Sequence, residues 1–131
     1  MIIFLFFSLA SALDTASKED SCFYLASYLV RERQEEISTH LKAYPHLKEP
    51  EVRLKVIELG FYECMEKISE EQVKEVKNNN KREFSKFRSL VQVGIGELVS
   101  LREVKLTEDF VRKRQEIGKR ISFTKKSGSD L

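Results

Sequence analysis

The stretch PEVRLKVIELGFYECMEKI, residues 50–68, decides the fold. Its Leu54, Ile57, Phe61, Cys64 and Ile68 recur at steps of three and four, so they share one narrow face of a helical wheel. Glu51, Arg53, Lys55, Glu58, Glu63, Glu66 and Lys67 take most of the remaining circumference. Pro50 stands where a first helical turn tolerates proline, whose missing N–H would be unpaired there in any case. The pattern predicts an amphipathic helix over residues 50–68.

Upstream, Cys22, Leu25, Ala26 and Leu29 follow the same periodicity, and Ile37 and Leu41 continue it with a drift. A helix over residues 22–42 is predicted, capped by Asp20 or Ser21 and ended by Tyr44-Pro45-His46. The short connection between the two helices implies an antiparallel hairpin.

Downstream, Ser69 and Gln72 form a capping box for a helix whose apolar face starts at Val73 and Val76. Asn78, Asn79 and Asn80 interrupt it as weak helix formers. Phe84, Phe87, Val91, Ile95 and Leu98 resume the helical face after Lys81. Gly94 and Gly96 weaken a helix, so helix is read to about Gln92 and a loop or kink after it. Thr107 caps a last helix, with Glu108 and Asp109 near its positive end and Phe110, Ile117 and Ile121 on its apolar face.

The N-terminus reads MIIFLFFSLASA. An apolar run from Ile2 to Phe7 precedes Ala10-Ser11-Ala12, the small-x-small pattern that signal peptidase accepts. The alternative to a signal peptide is a buried first helix or strand; the run is short of the ~20 apolar residues that span a bilayer, and it lacks the arginines of a mitochondrial presequence. The expected organisation is a signal peptide at 1–12, a helical domain at 13–121 that begins with a flexible polar stretch to Asp20, and a flexible basic and polar tail at 122–131.

Export favours pairing of the two cysteines, Cys22 and Cys64, over their reading as buried free thiols. They sit on apolar faces near the start of one helix and the end of the next, ends that an antiparallel hairpin brings together. A mismatch of roughly 8 Å in helix length, at 1.5 Å per residue, is left for the loop to absorb.

No motif with chemical specificity is present. His40 and His46 are the only bases that titrate near neutrality, and six residues apart on one helix they point to different faces. No G-x-S-x-G surrounds a serine, Gly94-Ile95-Gly96 lacks the third glycine of a dinucleotide fingerprint, and Glu35-Glu36 and Glu70-Glu71 read as solvated helix charges. No metal or cofactor site is expected. The formal charges nearly cancel at +2, which gives no nucleic-acid signature.

The charge is nonetheless segregated. Between Arg112 and Lys126 lie seven basic residues and one acid, Glu116. On a helical wheel Arg112, Lys113, Lys119 and Arg120 point away from the Phe110 face, beside Lys125 and Lys126, while Arg114 flanks it. This end is the candidate contact for an anionic lipid, glycan or acidic protein surface, against its reading as a solvated helix face.

The expected fold is an all-α bundle built on a disulfide-linked helical hairpin. The expected function is that of a secreted or lumenal interaction protein without catalytic activity. Helical hairpins and export make the saposin-like group the nearest secreted comparison, with a lipid-binding module as the alternative function. Its six-cysteine framework is absent here, so no residue is carried over. An enzyme would need a polar cleft that gathers His40 or His46 with acids.

Overall fold

The computed structural model describes residues 2–97 and 104–125, and the side chains within 16–92, 94–97 and 104–120. Helices α1 (Ile2–Glu32), α2 (Gln34–Leu41), α3 (Glu49–Lys67), α4 (Glu70–Lys77), α5 (Lys81–Phe84), α6 (Arg88–Glu97) and α7 (Glu108–Lys125) follow one another, with a 3₁₀ turn at Ser85–Phe87. Among the described residues there is no strand. The fold is the all-α bundle that the periodicity predicts.

The centre is the antiparallel pair α1 and α3. Cys22 and Cys64 are disulfide-bonded with their Cα atoms 5.6 Å apart. Four residues along α1 and four back along α3, Ala26 faces Gly60. This register is possible because the helix predicted over 22–42 is broken. Arg33 leaves helical geometry (φ −110°, ψ 23°), and its guanidinium turns back to Glu36 at 2.8 Å. The polar stretch around Glu32 to Glu36 thus marks a corner rather than a wet helical face. From the disulfide, α1 now runs only from Cys22 to Glu32 beside the longer stretch of α3 from Glu49 to Cys64, and α2, which also contacts α3, carries the connection with its loop. The expected excess length of the first helix is thus removed by the corner at Arg33.

At the other end, α1 runs through residues 13–20, which the sequence reading makes flexible. Asp20 and Ser21 therefore lie inside a helix and cap nothing. Long-range partners override the weak local signal, because Glu19 and Ser21 are buried and Glu19 and Asp20 are ion-paired to α7.

Helix α3 buries more than its predicted stripe. Val52, Val56 and Gly60 are buried along with Phe61 and Cys64, whereas Leu54 and Ile57 are half-buried. The reason is that α3 is sandwiched, with α1 on one side and α6 on another. Gly60 approaches the Leu90 carbonyl and Val91, and Gly94 approaches Val56, so α3 and α6 also run antiparallel. A Cβ on Gly94 would lie 3.1 Å from Val56 Cγ1. This close approach corrects the reading of 93–97 as loop or kink. Helix α6 continues to Glu97, and Gly94 is an interior contact rather than a hinge.

The capping box at Ser69 and Gln72 forms as predicted, with both reciprocal hydrogen bonds present. The asparagine interruption also takes a definite form. Asn79 adopts φ 56°, Asn79 N–H donates to Val76 O and Asn80 N–H to Glu75 O, which is a Schellman termination. Asn79 Oδ1 accepts from the Tyr24 hydroxyl at 3.1 Å and ties α4 to α1. Phe84 packs edge-on against Tyr24 and Tyr28. Phe110 of α7 packs against Phe23, Phe61 and Tyr62. Leu98 and the side chain of Ile121, both assigned to apolar faces above, lie outside the described residues.

Gly60→Leu should force α1, α3 and α6 apart and cost about 1–3 kcal/mol or more by overpacking. Gly118, where an added Cβ would meet only open space, should instead gain about 0.5–1 kcal/mol on replacement by Ala. Chemical denaturation of the two variants against the parent checks both signs.

Candidate functional site

The basic helix α7 is held in place by polar contacts at its start. Thr107 Oγ1 accepts from Phe110 N–H at 3.2 Å, the predicted N-cap. The same residue donates from its backbone N–H and its hydroxyl to Glu58 Oε2, at 2.8 and 3.1 Å. Glu58 is only 2% exposed and also accepts from Lys55, whose ammonium donates to Lys105 O as well. A buried carboxylate is tolerated here because its oxygens are paired with a cation and two donors. Charge alone assigns Glu58 to the polar face. Yet it stands four residues after Leu54 and three before Phe61, so the helical grid already puts it on the stripe.

In the first turn of α7, Asp109 accepts from the Tyr62 hydroxyl. Burial, with the hydrogen bond to Asp109, pushes the Tyr62 phenol up to about 12. The same hydrogen bond, with Lys113 and Arg112 nearby, holds the Asp109 carboxyl below its usual value.

Farther along α7 the structure divides the cations expected to face an anionic surface. Lys113 Nζ meets Glu19 Oε2 at 2.6 Å, and that contact raises the lysine's proton affinity. Arg120 spans Asp20 at 2.8 Å and Glu19 at 3.5 Å. Both side chains thus turn toward α1, not away from the packed side as the wheel suggests. The physical reason is the acid pair at residues 19 and 20, which α1 brings against α7. Arg112 remains outward, 68% exposed, in a surface pair with Asp109. Lys119 is exposed and outward. The Lys125 side chain and all of Lys126 lie outside the described residues.

Elsewhere, a polar cavity of about 630 Å³ lies beside the C-terminal end of α1. Tyr28, Glu32, Arg33, Lys81, Arg88 and the hydroxyls of Ser85 and Ser89 line it, with Lys81 over the Tyr28 ring. It holds one carboxylate and no imidazole. His40 and His46 are exposed, His46 against the ring of Tyr44. Among the described residues no cluster of three or more His, Cys, Asp or Glu side chains could hold a metal ion. Nor, among them, is any helix long and apolar enough to cross a membrane. Comparison with known proteins finds no match: no family, no curated protein and no solved structure is significantly similar to the chain.

Two outcomes are expected. Because Tyr62 binds its proton more tightly in the folded state, its contribution to stability is present below about pH 10 and lost as pH rises toward 12. Phenolate absorbance should show tyrosine ionisation extending to about pH 12, and Tyr62→Phe should remove the latest phase. Glu19→Ala removes the carboxylate that Lys113 and Arg120 share. It should cost on the order of 1–2 kcal/mol, since both cations are partly solvated, with the deficit shrinking at high salt. Urea unfolding at two salt concentrations measures it.

Proposed function

We propose that this chain is a non-enzymatic interaction protein of the secretory pathway, and that α7 carries its contact surface for an anionic partner. The observation that carries the reading is the Cys22–Cys64 disulfide at the centre of the fold. Such a bridge persists in oxidising compartments and is rare where thiols are kept reduced. In the chain-entropy view, a closure across 42 residues stabilises by about 4 kcal/mol. One further feature is consistent with removal of residues 1–12 after export: the small-x-small pattern ends at Ala12.

The anionic partner in this reading is a lipid or glycan surface or an acidic protein. Contact with it is electrostatic rather than insertive. Val111, 41% exposed, is the one large apolar side chain exposed among the described residues. Arg112 and Lys119 are the outward cations that would meet the partner. Lys113 and Arg120 serve instead to clamp α7 on α1.

Expressed with its native N-terminus in secreting cells, the protein should be recovered beginning at Leu13 and two hydrogens lighter than its dithiol form. It should bind heparin or acidic vesicles at low salt, and Arg112→Glu with Lys119→Glu should weaken that binding while leaving the fold intact. Terminal sequencing, intact mass and co-sedimentation supply the readouts. An intact Met1 with both thiols free would overturn the export reading, and unchanged binding by the double variant would overturn the surface reading.

A further inference from the structure

A second cavity, of about 390 Å³, lies where α1, the start of α2, α3 and α7 meet. Three arginines from three different helices line it: Arg31, Arg53 and Arg114. Ser27 and Gln34 add a hydroxyl and an amide, and no carboxylate lines the space. The chain is nearly balanced overall, with 21 acids against 23 basic residues, so three guanidiniums without an acid are a departure from its own pattern. Lys113, Arg120, Arg33 and Lys55, by contrast, each have a carboxylate partner. None of Arg31, Arg53 and Arg114 makes an ion pair among the described residues.

Arg53 adds an independent observation. Its Nε is buried and has no hydrogen-bond partner. A buried donor left unpaired costs free energy, more so on a charged group, unless something else satisfies it. A planar guanidinium is suited to paired oxygens of an oxyanion. The remaining wall is apolar, formed by Val30, Pro50, Leu54 and Ile57. That wall also accounts for the half-burial of Leu54 and Ile57, which the amphipathic stripe alone would bury.

We propose that this cavity is a binding site for a phosphate or sulfate ester with a compact apolar body, its oxyanion held by Arg31, Arg53 and Arg114 and its body against Leu54 and Ile57. A single carboxylate would leave most of the cationic charge uncompensated, whereas a dianionic phosphomonoester matches it better. The volume falls in the range of small-molecule sites, about 300–1,000 Å³, and leaves room for a carbon skeleton beside the oxyanion. Neither export nor the outward face of α7 is required for this site.

The test is calorimetric titration of the intact disulfide-bonded protein at pH 7.5 and fixed ionic strength. The probes are sodium phosphate, sodium sulfate, phenyl phosphate and benzoate, with chloride as the balancing salt. Phosphate and sulfate should bind above the chloride background, phenyl phosphate should bind tighter than phosphate, and benzoate should bind more weakly than phenyl phosphate. Arg53→Gln and, separately, Arg114→Gln should each weaken phenyl phosphate binding roughly tenfold or more, the loss of one charge-assisted contact. Circular dichroism reports whether each variant is folded. Arg114 is exposed on α7, so its replacement leaves a folded test even where Arg53→Gln does not fold. Lys74→Gln, an exposed lysine of α4 outside the cavity lining, should leave binding unchanged. A vesicle arm with phosphatidic acid separates sources. Competition by phenyl phosphate for vesicle binding supports a lipid headgroup as the natural ester, and binding of soluble ester alone supports a free metabolite. No heat above chloride for any oxyanion, or unchanged affinity in folded Arg114→Gln, would overturn the site.

Discussion

Where Gly60 of α3 faces Ala26 of α1, the backbones are close enough that one added methyl would already touch its neighbour, at 3.4 Å. The same residue meets the Leu90 carbonyl and Val91 of α6 on its other side. A glycine shared by two interfaces sets both separations at once. The register it defines brings Cys22 beside Cys64, and it places Gly94 against Val56. The disulfide therefore holds an alignment that close packing has already selected. Everything peripheral is placed relative to this three-helix contact, because side chains in a dense interior interlock in few ways.

Helix α7 joins that centre through a different kind of constraint. Phe110 supplies apolar contact, but orientation is set by paired polar groups: Glu58 with Thr107, Tyr62 with Asp109, and Glu19 and Asp20 with Lys113 and Arg120. Such pairs contribute modestly to net stability, yet they strongly penalise alternatives that would leave a buried charge alone. This division of labour explains why the basic helix is not uniformly basic toward solvent. Part of its charge holds it in place. The outward remainder, Arg112 and Lys119, and Arg114 at the arginine cavity face different surroundings and are suited to different partners.

Much of the fold is legible in the chain itself. The stripe over residues 50–68, the capping box at Ser69 and Gln72, the asparagine stop, the Thr107 cap and the pairing of the cysteines all depend on residues near one another or on the period of a helix. Those signals are local, so they survive without knowledge of the neighbours. Expectation and structure part where a local signal meets a distant partner. Residues 13–20 look like a flexible leader but are helical, and two of them are paired across about a hundred residues with Arg120. Gly94 looks like a helix breaker but is where two helices touch.

What the sequence by itself determined is the helical class, the places where most helices start and stop, and the opposed cysteines of a hairpin. Each follows from backbone hydrogen bonding and a 3.6-residue period acting over a few turns. What only the tertiary structure decided is the fate of the charges. Whether an arginine is clamped, outward or gathered with two others depends on which helices lie within a few ångströms of it. Arg31, Arg53 and Arg114 are scattered over more than eighty positions, and no periodicity connects them. They line one cavity because the α1–α3 register and the docking of α7 leave a space at that junction, and packing, unlike period, is a property of the whole chain.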